Sequence, residues 1–198
     1  MKKILNEEFF NRPTLRVAEE LLGKYLVRKY RGKEIAAMIT EAEAYDGPHD
    51  RASHASRGRT ERTKIMFGPP GQWYVYFTYG MHWMVNIVTG PEEYPAAVLI
   101  RAVQLIDVRH QSIEGPARTT KFFKIDKQFN DKPASRKTGL WIEDRGVKIK
   151  KSRIIKKPRI GVQYAGPVWA NKKYNFKLIN RKPAQLRYAG ENLAKGLS

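Results

Sequence analysis

Apolar and polar residues alternate with two different periods along this chain, and the change of period separates predicted helices from predicted strands. Between Pro13 and Gly23, apolar residues recur every three or four positions, which predicts a helix that starts after a proline and stops at a glycine. Two strand-like segments follow at 25–30 and 34–44, and a turn at 31–33 joins them.

The second of these strands combines burial with charge. Odd-numbered side chains from Ile35 to Tyr45 should share one face, because side chains alternate along a strand. The even-numbered positions are mostly apolar as well, which is typical of a strand buried on both faces. Glu41 and Glu43 lie near its end, so the pattern predicts a carboxylate at the edge of the core.

An aromatic segment at 73–88 predicts a β-hairpin, with strands at 73–78 and 82–88 and a turn at 79–81. A three-residue loop would place Asn86 opposite the tyrosines of the first strand, whereas a two-residue loop would place it on the other face. A polar asparagine among aromatic side chains favours a pocket over a plain core.

The rest of the chain adds elements but no second domain. A length of 198 residues fits one domain over 1–198 that buries a proper core, with a polar and frayed tail from about residue 181. The further predictions are a helix at 115–125, strands at 96–103, 140–143, 159–163 and 174–179, and a pair of basic strands within 148–159.

The amino-acid composition restricts the classes of function that the chain can have. The absence of cysteine excludes disulfides, thiolate metal ligands and cysteine nucleophiles. Lysine and arginine number 38 against 19 acidic residues, and the net charge of +19 favours polyanions, nucleic acid before anionic membrane. No apolar run reaches the ~20 residues of a membrane span, and no signal-peptide core follows the first residues. We therefore expect a cytoplasmic protein.

Several residues could have a catalytic or binding role, and each of them also has a purely structural interpretation. Glu43 could act as a general base at an aromatic pocket, or form a structural ion pair with Arg101. Together with Glu41 and Asp50 it could instead bind a metal, although no recognisable ligand spacing is present. Tyr79 could insert between base pairs from the hairpin turn, or pack back on its own hairpin.

Two long motifs make the sequence specific. ITEAEAYDGPHDRASHASRG at 39–58 and MFGPPGQWYVYFTYGMHWMVNIV at 66–88 closely resemble the alkyladenine (3-methyladenine) DNA glycosylase family of the mammalian type. Three shorter motifs follow in the family's order: AAVLIRA at 96–102, EGPARTTKFFKI at 114–125 and RIGVQYAGPVWA at 159–170. The resemblance covers about residues 11–178. It implies an α+β fold, a single compact domain in which helices flank a curved antiparallel sheet.

The resemblance also implies a function in base excision repair. Members flip alkylated or deaminated purines out of double-stranded DNA and hydrolyse the N-glycosidic bond, with no metal and no cofactor. Matched residue by residue, Glu43 is the base that activates the attacking water, and Arg101 helps to hold that water. The other matched positions are the pocket walls Tyr45, His54 and Tyr76, the guanine-disfavouring Asn86, the intercalating Tyr79, and the DNA-contacting Arg59, Arg62 and Met66.

We expect a monomer that associates with nucleoid DNA and not with a membrane. Two alternatives from other classes stay open on the residues alone. One is a non-enzymatic, basic nucleic-acid-binding protein, which would have no use for a carboxylate at a pocket. The other is a metal-dependent nuclease built on Glu41, Glu43 and Asp50.

Overall fold

A curved antiparallel sheet forms the frame of the molecule. The structure is a computed structural model, and it describes residues 2–106 and 111–179. The strands are β1 (Lys3–Ile4), β2 (Tyr25–Tyr30), β3 (Lys33–Tyr45), β4 (Gln72–Thr78), β5 (His82–Val88), β6 (Ala97–Gln104), β7 (Ser112–Glu114), β8 (Lys132–Pro133), β9 (Leu140–Asp144), β10 (Ile154–Lys157) and β11 (Asn175–Leu178). The helices are α1 (Glu7–Phe10), α2 (Thr14–Leu21), α3 (Pro116–Phe123) and α4 (Gly166–Ala170). This arrangement confirms the predicted α+β class, a single compact domain with a curled sheet.

β3 is the central strand of the sheet. The strand order is β1-β9-β2-β3-β6-β5-β4-β8, with β11 joined to β3, β10 to β11, and β7 to β6. One edge of β3 is shared by two partners, because β2 pairs with its first half and β11 with Glu41 to Glu43. β6 runs along its other edge. The segment that carries both glutamates is therefore enclosed on both sides.

The predicted single face of β3 from Ile35 to Tyr45 is interrupted. Between Ile39 and Ala42 the pairing with β6 shifts register twice, and the register passes over Thr40 on β3 and over Arg101 on β6. Such bulges bend a strand and re-aim its side chains, and they are frequent beside active sites. The strict alternation that predicted one continuous face is wrong at this point.

The large core lies between the sheet and the longer helices. α2, predicted from its apolar spacing, packs Val17, Ala18 and Leu21 into this core. It ends before Gly23, whose φ of +87° suits glycine. None of the helices in the described part of the chain is long and apolar enough to span a membrane.

One predicted strand is wrong and another is only half right. Residues 159–163 form no strand, because the segment supplies a buried arginine and a backbone amide to the interior instead of a paired edge. The basic strand pair predicted within 148–159 reduces to β10, which follows a short 3-10 helix and pairs with β11. The predicted tail from 181 lies outside the described residues.

Candidate active site

A cavity of about 300 Å³ opens beside the end of β3. Its walls come from the loop after β3, the β4–β5 hairpin, β6, and a segment at 158–166 that we call the strap. The residues that line it are largely aromatic and aliphatic: Tyr45, Ala52, Ser53, His54, Met66, Tyr74, Tyr76, Thr78, Tyr79, Met84, Asn86, Ala97, Leu99, Arg101, Pro116, Ile160, Gly161, Val162 and Tyr164. The cavity thus gathers all three predicted pocket walls.

Aromatic rings in edge-to-face and tilted contacts shape one side of the cavity. The rings of His54 and Tyr76 lie 4.7 Å apart at 76°, and those of Tyr74 and Tyr76 lie 5.2 Å apart. A hydrogen bond of 3.1 Å joins His54 Nδ1 to the Tyr74 hydroxyl. These contacts hold the rings in place around the open space, which suits a flat ligand.

The environment keeps these rings uncharged at neutral pH. Burial, together with the nearby Arg62 guanidinium, lowers the pKa of His54 to about 4. Burial and the neighbouring Tyr74 raise the pKa of Tyr76 above the usual value for a phenol. The cavity therefore presents neutral, electron-rich rings.

The hairpin register places Asn86 in this wall. β4 and β5 pair Tyr74 with Asn86 and Tyr76 with Met84, across a loop of three residues. This confirms the three-residue alternative and excludes the two-residue one. Asn86 is buried, and its Nδ2 donates to the Tyr74 carbonyl over 3.0 Å.

Glu43 lies behind the cavity with four hydrogen-bond donors on its carboxylate. Oε2 accepts from the Tyr45 hydroxyl and from Arg101, each over 3.1 Å. Oε1 accepts from the Ile160 backbone amide over 2.9 Å and from Asn175 Nδ2 over 2.8 Å. The side chain is 0% exposed, and three of its four partners line the cavity: Tyr45 and Arg101 on Oε2, and Ile160 on Oε1.

The two cavity-side partners of Glu43 differ in character. Burial raises the pKa of Tyr45 well above its usual value, and the negative charge of Glu43 adds to this effect, so the phenol stays a donor. Arg101 supplies positive charge, and its side chain is 12% exposed towards the cavity. The anionic Glu43 and the cationic Arg101 thus lie next to each other at the cavity, where a bond of a ligand could be broken.

A second buried carboxylate, Asp50, has a different environment. Arg159 binds both of its oxygens, with NH2 at 2.8 Å from Oδ1, and also donates to the Ala44 carbonyl. The backbone amides of Asp46 and Ala52 complete the set. Because its oxygens are occupied in this way, Asp50 is not free to join Glu41 and Glu43 in the metal site that the nuclease alternative requires. Among residues 2–106 and 111–179 no three acidic or histidine side chains form a group that could hold a metal.

Tyr79 stands at the tip of the hairpin. It is 83% exposed, which rules out packing back on its own hairpin. Tyr79 and Gly80 have positive φ values, +52° and +64°. A non-glycine residue in this region is strained, and such strain is common at functional sites.

The predicted DNA-contacting residues occupy different positions. Arg59 is exposed and forms a 3.0 Å ion pair with Glu93. Arg62 is also exposed and lies over the ring of Tyr76, 4.7 Å from its centroid, at the cavity mouth. Met66 is only 2% exposed and lines the cavity, which groups it with the pocket walls instead of the outer surface.

Three site residues were not predicted as such, although Ile160 and Tyr164 lie within the motif at 159–170. Asn175 donates to Glu43 from a strand 132 positions away, and the Ile160 amide does so from 117 positions away. Tyr164 lines the cavity from the strap, and its hydroxyl donates to the Ala52 carbonyl over 2.8 Å. Neither the period of the pattern nor any short motif indicates these long-range contacts.

Comparison with known proteins finds similar sequences over most of the chain. The family model described as "Methylpurine-DNA glycosylase (MPG)" matches residues 8–182. A protein of Anaeromyxobacter dehalogenans is 44% identical over 174 residues, covering 88% of this chain and 83% of its own. A protein of Legionella pneumophila (strain Paris) is 43% identical, covering 89% and 94%, and one of Methanocella arvoryzae is 42% identical, covering 82% and 86%. Each is named "Putative 3-methyladenine DNA glycosylase".

Proposed function

The chain belongs to the methylpurine-DNA glycosylase family, and from that membership we propose that Glu43 activates the water that removes damaged purines from duplex DNA. As a member it is a monofunctional DNA glycosylase that acts on alkylated bases in base excision repair. The finer proposal is that an alkylated or deaminated purine is flipped into the cavity, and that hydrolysis leaves an abasic site. The single observation that carries it is the Glu43 carboxylate, held by two residues that line an aromatic cavity.

The aromatic walls supply the binding energy for an extruded base. Extrusion costs a few kcal/mol of lost pairing and stacking. Stacking on aromatic side chains returns about 1–3 kcal/mol per base. Alkylated purines carry positive charge. The phenol rings of Tyr45 and Tyr76 can attract such a cation, and His54, which is neutral, does not repel it.

The chemistry follows from the charge that develops at the sugar. As the C1′–N bond breaks, C1′ acquires oxocarbenium character, and the negative charge of Glu43 stabilises it. Water adds its oxygen to C1′ and gives a proton to Glu43, while the bond electrons leave with the purine. Arg101, within hydrogen-bonding distance of Glu43 Oε2 and at the cavity wall, would help to hold that water.

The outer surface suits the flipping step. Tyr79 is exposed at the tip of the hairpin and can enter the duplex to fill the gap left by the base. Arg59 and Arg62 lie on the loop beside the cavity mouth, where they can contact phosphates. Asn86 is held in the cavity wall by its hydrogen bond to the Tyr74 carbonyl, and there it would disfavour the amino group of normal guanine.

The test is an excision assay on defined lesions. Duplex oligonucleotides that each contain one 3-methyladenine, 7-methylguanine, hypoxanthine or ethenoadenine are incubated with the protein in EDTA, and abasic sites are revealed by alkali. We expect strand breaks at one or more lesions and none at undamaged adenine. DNA binding without abasic sites at any lesion would instead favour the non-enzymatic alternative, and strand breaks without alkali would contradict a monofunctional glycosylase.

A further inference from the structure

Asn175 bridges the two glutamates of β3. It is the first residue of β11 and pairs directly with Glu43, and its side chain is completely buried. Its single amide nitrogen donates over 2.8 Å to Glu43 Oε1 and over 2.8 Å to Glu41 Oε1. Both amide hydrogens are thereby used on carboxylates, an uncommon concentration of polar groups at a strand pair.

Arg101 closes this bridge into a ring of four side chains. Its NH1 lies 3.1 Å from Glu43 Oε2, and its Nε lies 3.5 Å from Glu41 Oε1. Glu43 is therefore held on one oxygen by Asn175 and on the other by Arg101. A carboxylate fixed at both oxygens cannot rotate about its last torsion without breaking a charge-assisted hydrogen bond.

We propose that Asn175 is a positioning residue for the excision reaction, which fixes Glu43 so that Oε2 takes the proton from water. The inference rests on the proposed role of Glu43 as the base. Oε1 is occupied by Asn175 and by the Ile160 backbone amide, whereas both partners of Oε2, Tyr45 and Arg101, are side chains that line the cavity. A neutral amide suits this task, because a second cation would stabilise the anion further and weaken it as a base.

Glu41 anchors the far side of Asn175. It is buried, which raises its pKa, but the Asn175 hydrogen bond and the charges of Lys177 and Lys157 outweigh burial and lower the pKa of Glu41 overall. The lysine Nζ atoms lie 3.2 Å and 3.7 Å from its carboxylate. Glu41 therefore remains an anion at neutral pH, and Lys177, Lys157 and Arg101 compensate its charge.

The test is the pH profile of single-turnover excision, with duplex binding measured separately. Asn175→Leu keeps a similar volume and removes the donor, and Asn175→Asp keeps the shape and adds a negative charge. Other charged or titratable groups close to Glu43 stay unchanged in both variants: Tyr45, Tyr76, Glu41, Arg101 and Arg159.

For Asn175→Leu we expect the excision rate at neutral pH to fall about tenfold or more, since a hydrogen bond to a charged group is lost. On the acidic side of the profile, the pH at which the excision rate falls should be higher in Asn175→Leu than in wild type. It should be higher still in Asn175→Asp, because both changes disfavour the anion. The dissociation constant for a lesion duplex should stay within about twofold of wild type, because the interaction acts on the chemical step.

Asn130→Leu is the matched control. Asn130 Oδ1 accepts from the Val75 backbone amide over 2.9 Å, so its loss should lower the unfolding temperature but leave the acidic limb in place. An unmoved limb in the Asn175 variants, whatever their stability, would overturn the inference. If Asn175→Leu does not fold, the pH profile of the isosteric Asn175→Asp decides whether the inference holds. Absence of excision by wild type at every lesion would defeat the proposed function first, and the positioning role with it.

Discussion

Two carboxylates, Glu43 and Asp50, are completely buried against arginines, yet they have different surroundings. Asp50 is enclosed: Arg159 binds both of its oxygens and is itself 0% exposed, and neither residue lines the cavity. Glu43 is also fully hydrogen-bonded, but its Oε2 partners, Tyr45 and Arg101, form part of the cavity wall.

The comparison shows that burial and ion pairing alone do not identify a catalytic carboxylate. Both groups satisfy the two criteria, and both come from one stretch of the sequence. The side-chain partners separate them, because Tyr45 and Arg101, which bind Glu43, line the cavity, whereas Arg159, which binds Asp50, does not. The same substitution, carboxylate to amide, should therefore have opposite consequences at the two positions.

Glu43→Gln should produce the largest change in rate. We expect excision to fall by at least about 10²–10⁴-fold, the typical contribution of a general base. Its loss of stability should be modest, because Arg101 retains Glu41 as a partner and reaches the cavity. Single-turnover kinetics measures the rate, and gel-shift titration should show that the variant still binds a lesion duplex. Wild-type turnover would remove Glu43 as the base.

Asp50→Asn should produce the largest change in stability. Arg159 would be left as an uncompensated charge in the interior, which costs about 3–5 kcal/mol of unfolding free energy. Urea denaturation measures this loss. The excision rate per folded molecule should stay within about threefold of wild type, since no catalytic contact is removed. A large rate loss in fully folded Asp50→Asn would erase the distinction between the two carboxylates.

Tyr79→Ser tests whether a damaged base reaches the cavity beside Glu43 by flipping out of the duplex. Loss of one aromatic stacking contact should weaken excision from duplex DNA by about 1–3 kcal/mol, or roughly 5- to 150-fold. Excision of the same lesion from a single strand should change less, since no base pair has to be opened. Exposed Phe77, on the same hairpin, offers a matched control through Phe77→Ser. Equal losses on duplex and single strand would refute the intercalating role of Tyr79.

His54 offers the smallest effect and a contrast with both carboxylates. Burial and the positive charge of Arg62 together lower its pKa to about 4. The unfolded chain binds a proton at higher pH than the folded one, so stability should fall as pH drops from about 6.5 towards 4. Because the side chain retains exposure to solvent, we expect a few tenths of a kcal/mol. Thermal unfolding of wild type and His54→Phe across that range should reveal the difference, and parallel curves would contradict it.

Local patterns predicted the parts of the fold that depend on neighbours in sequence. The β2–β3 pair, α2 and the hairpin follow from period and turn residues, and the family resemblance placed Glu43 and Arg101 in one site. The strand predicted at 159–163 failed because a period-two pattern does not show that Arg159 pairs with Asp50, 109 positions away. Asn175 was not predicted as a site residue for the same reason, since its contact with Glu43 also joins distant positions in the sequence.

The most direct test compares the two carboxylates in one experiment. Wild type, Glu43→Gln and Asp50→Asn are each held in excess over the same lesion duplex, at a temperature where all are folded, and the single-turnover rate of abasic-site formation is measured. We expect wild type and Asp50→Asn to differ by no more than about threefold, and Glu43→Gln to be slower by at least about 10²-fold. Equal rates for Glu43→Gln and wild type, or equal losses in both variants, would contradict the assignment of Glu43 as the catalytic base.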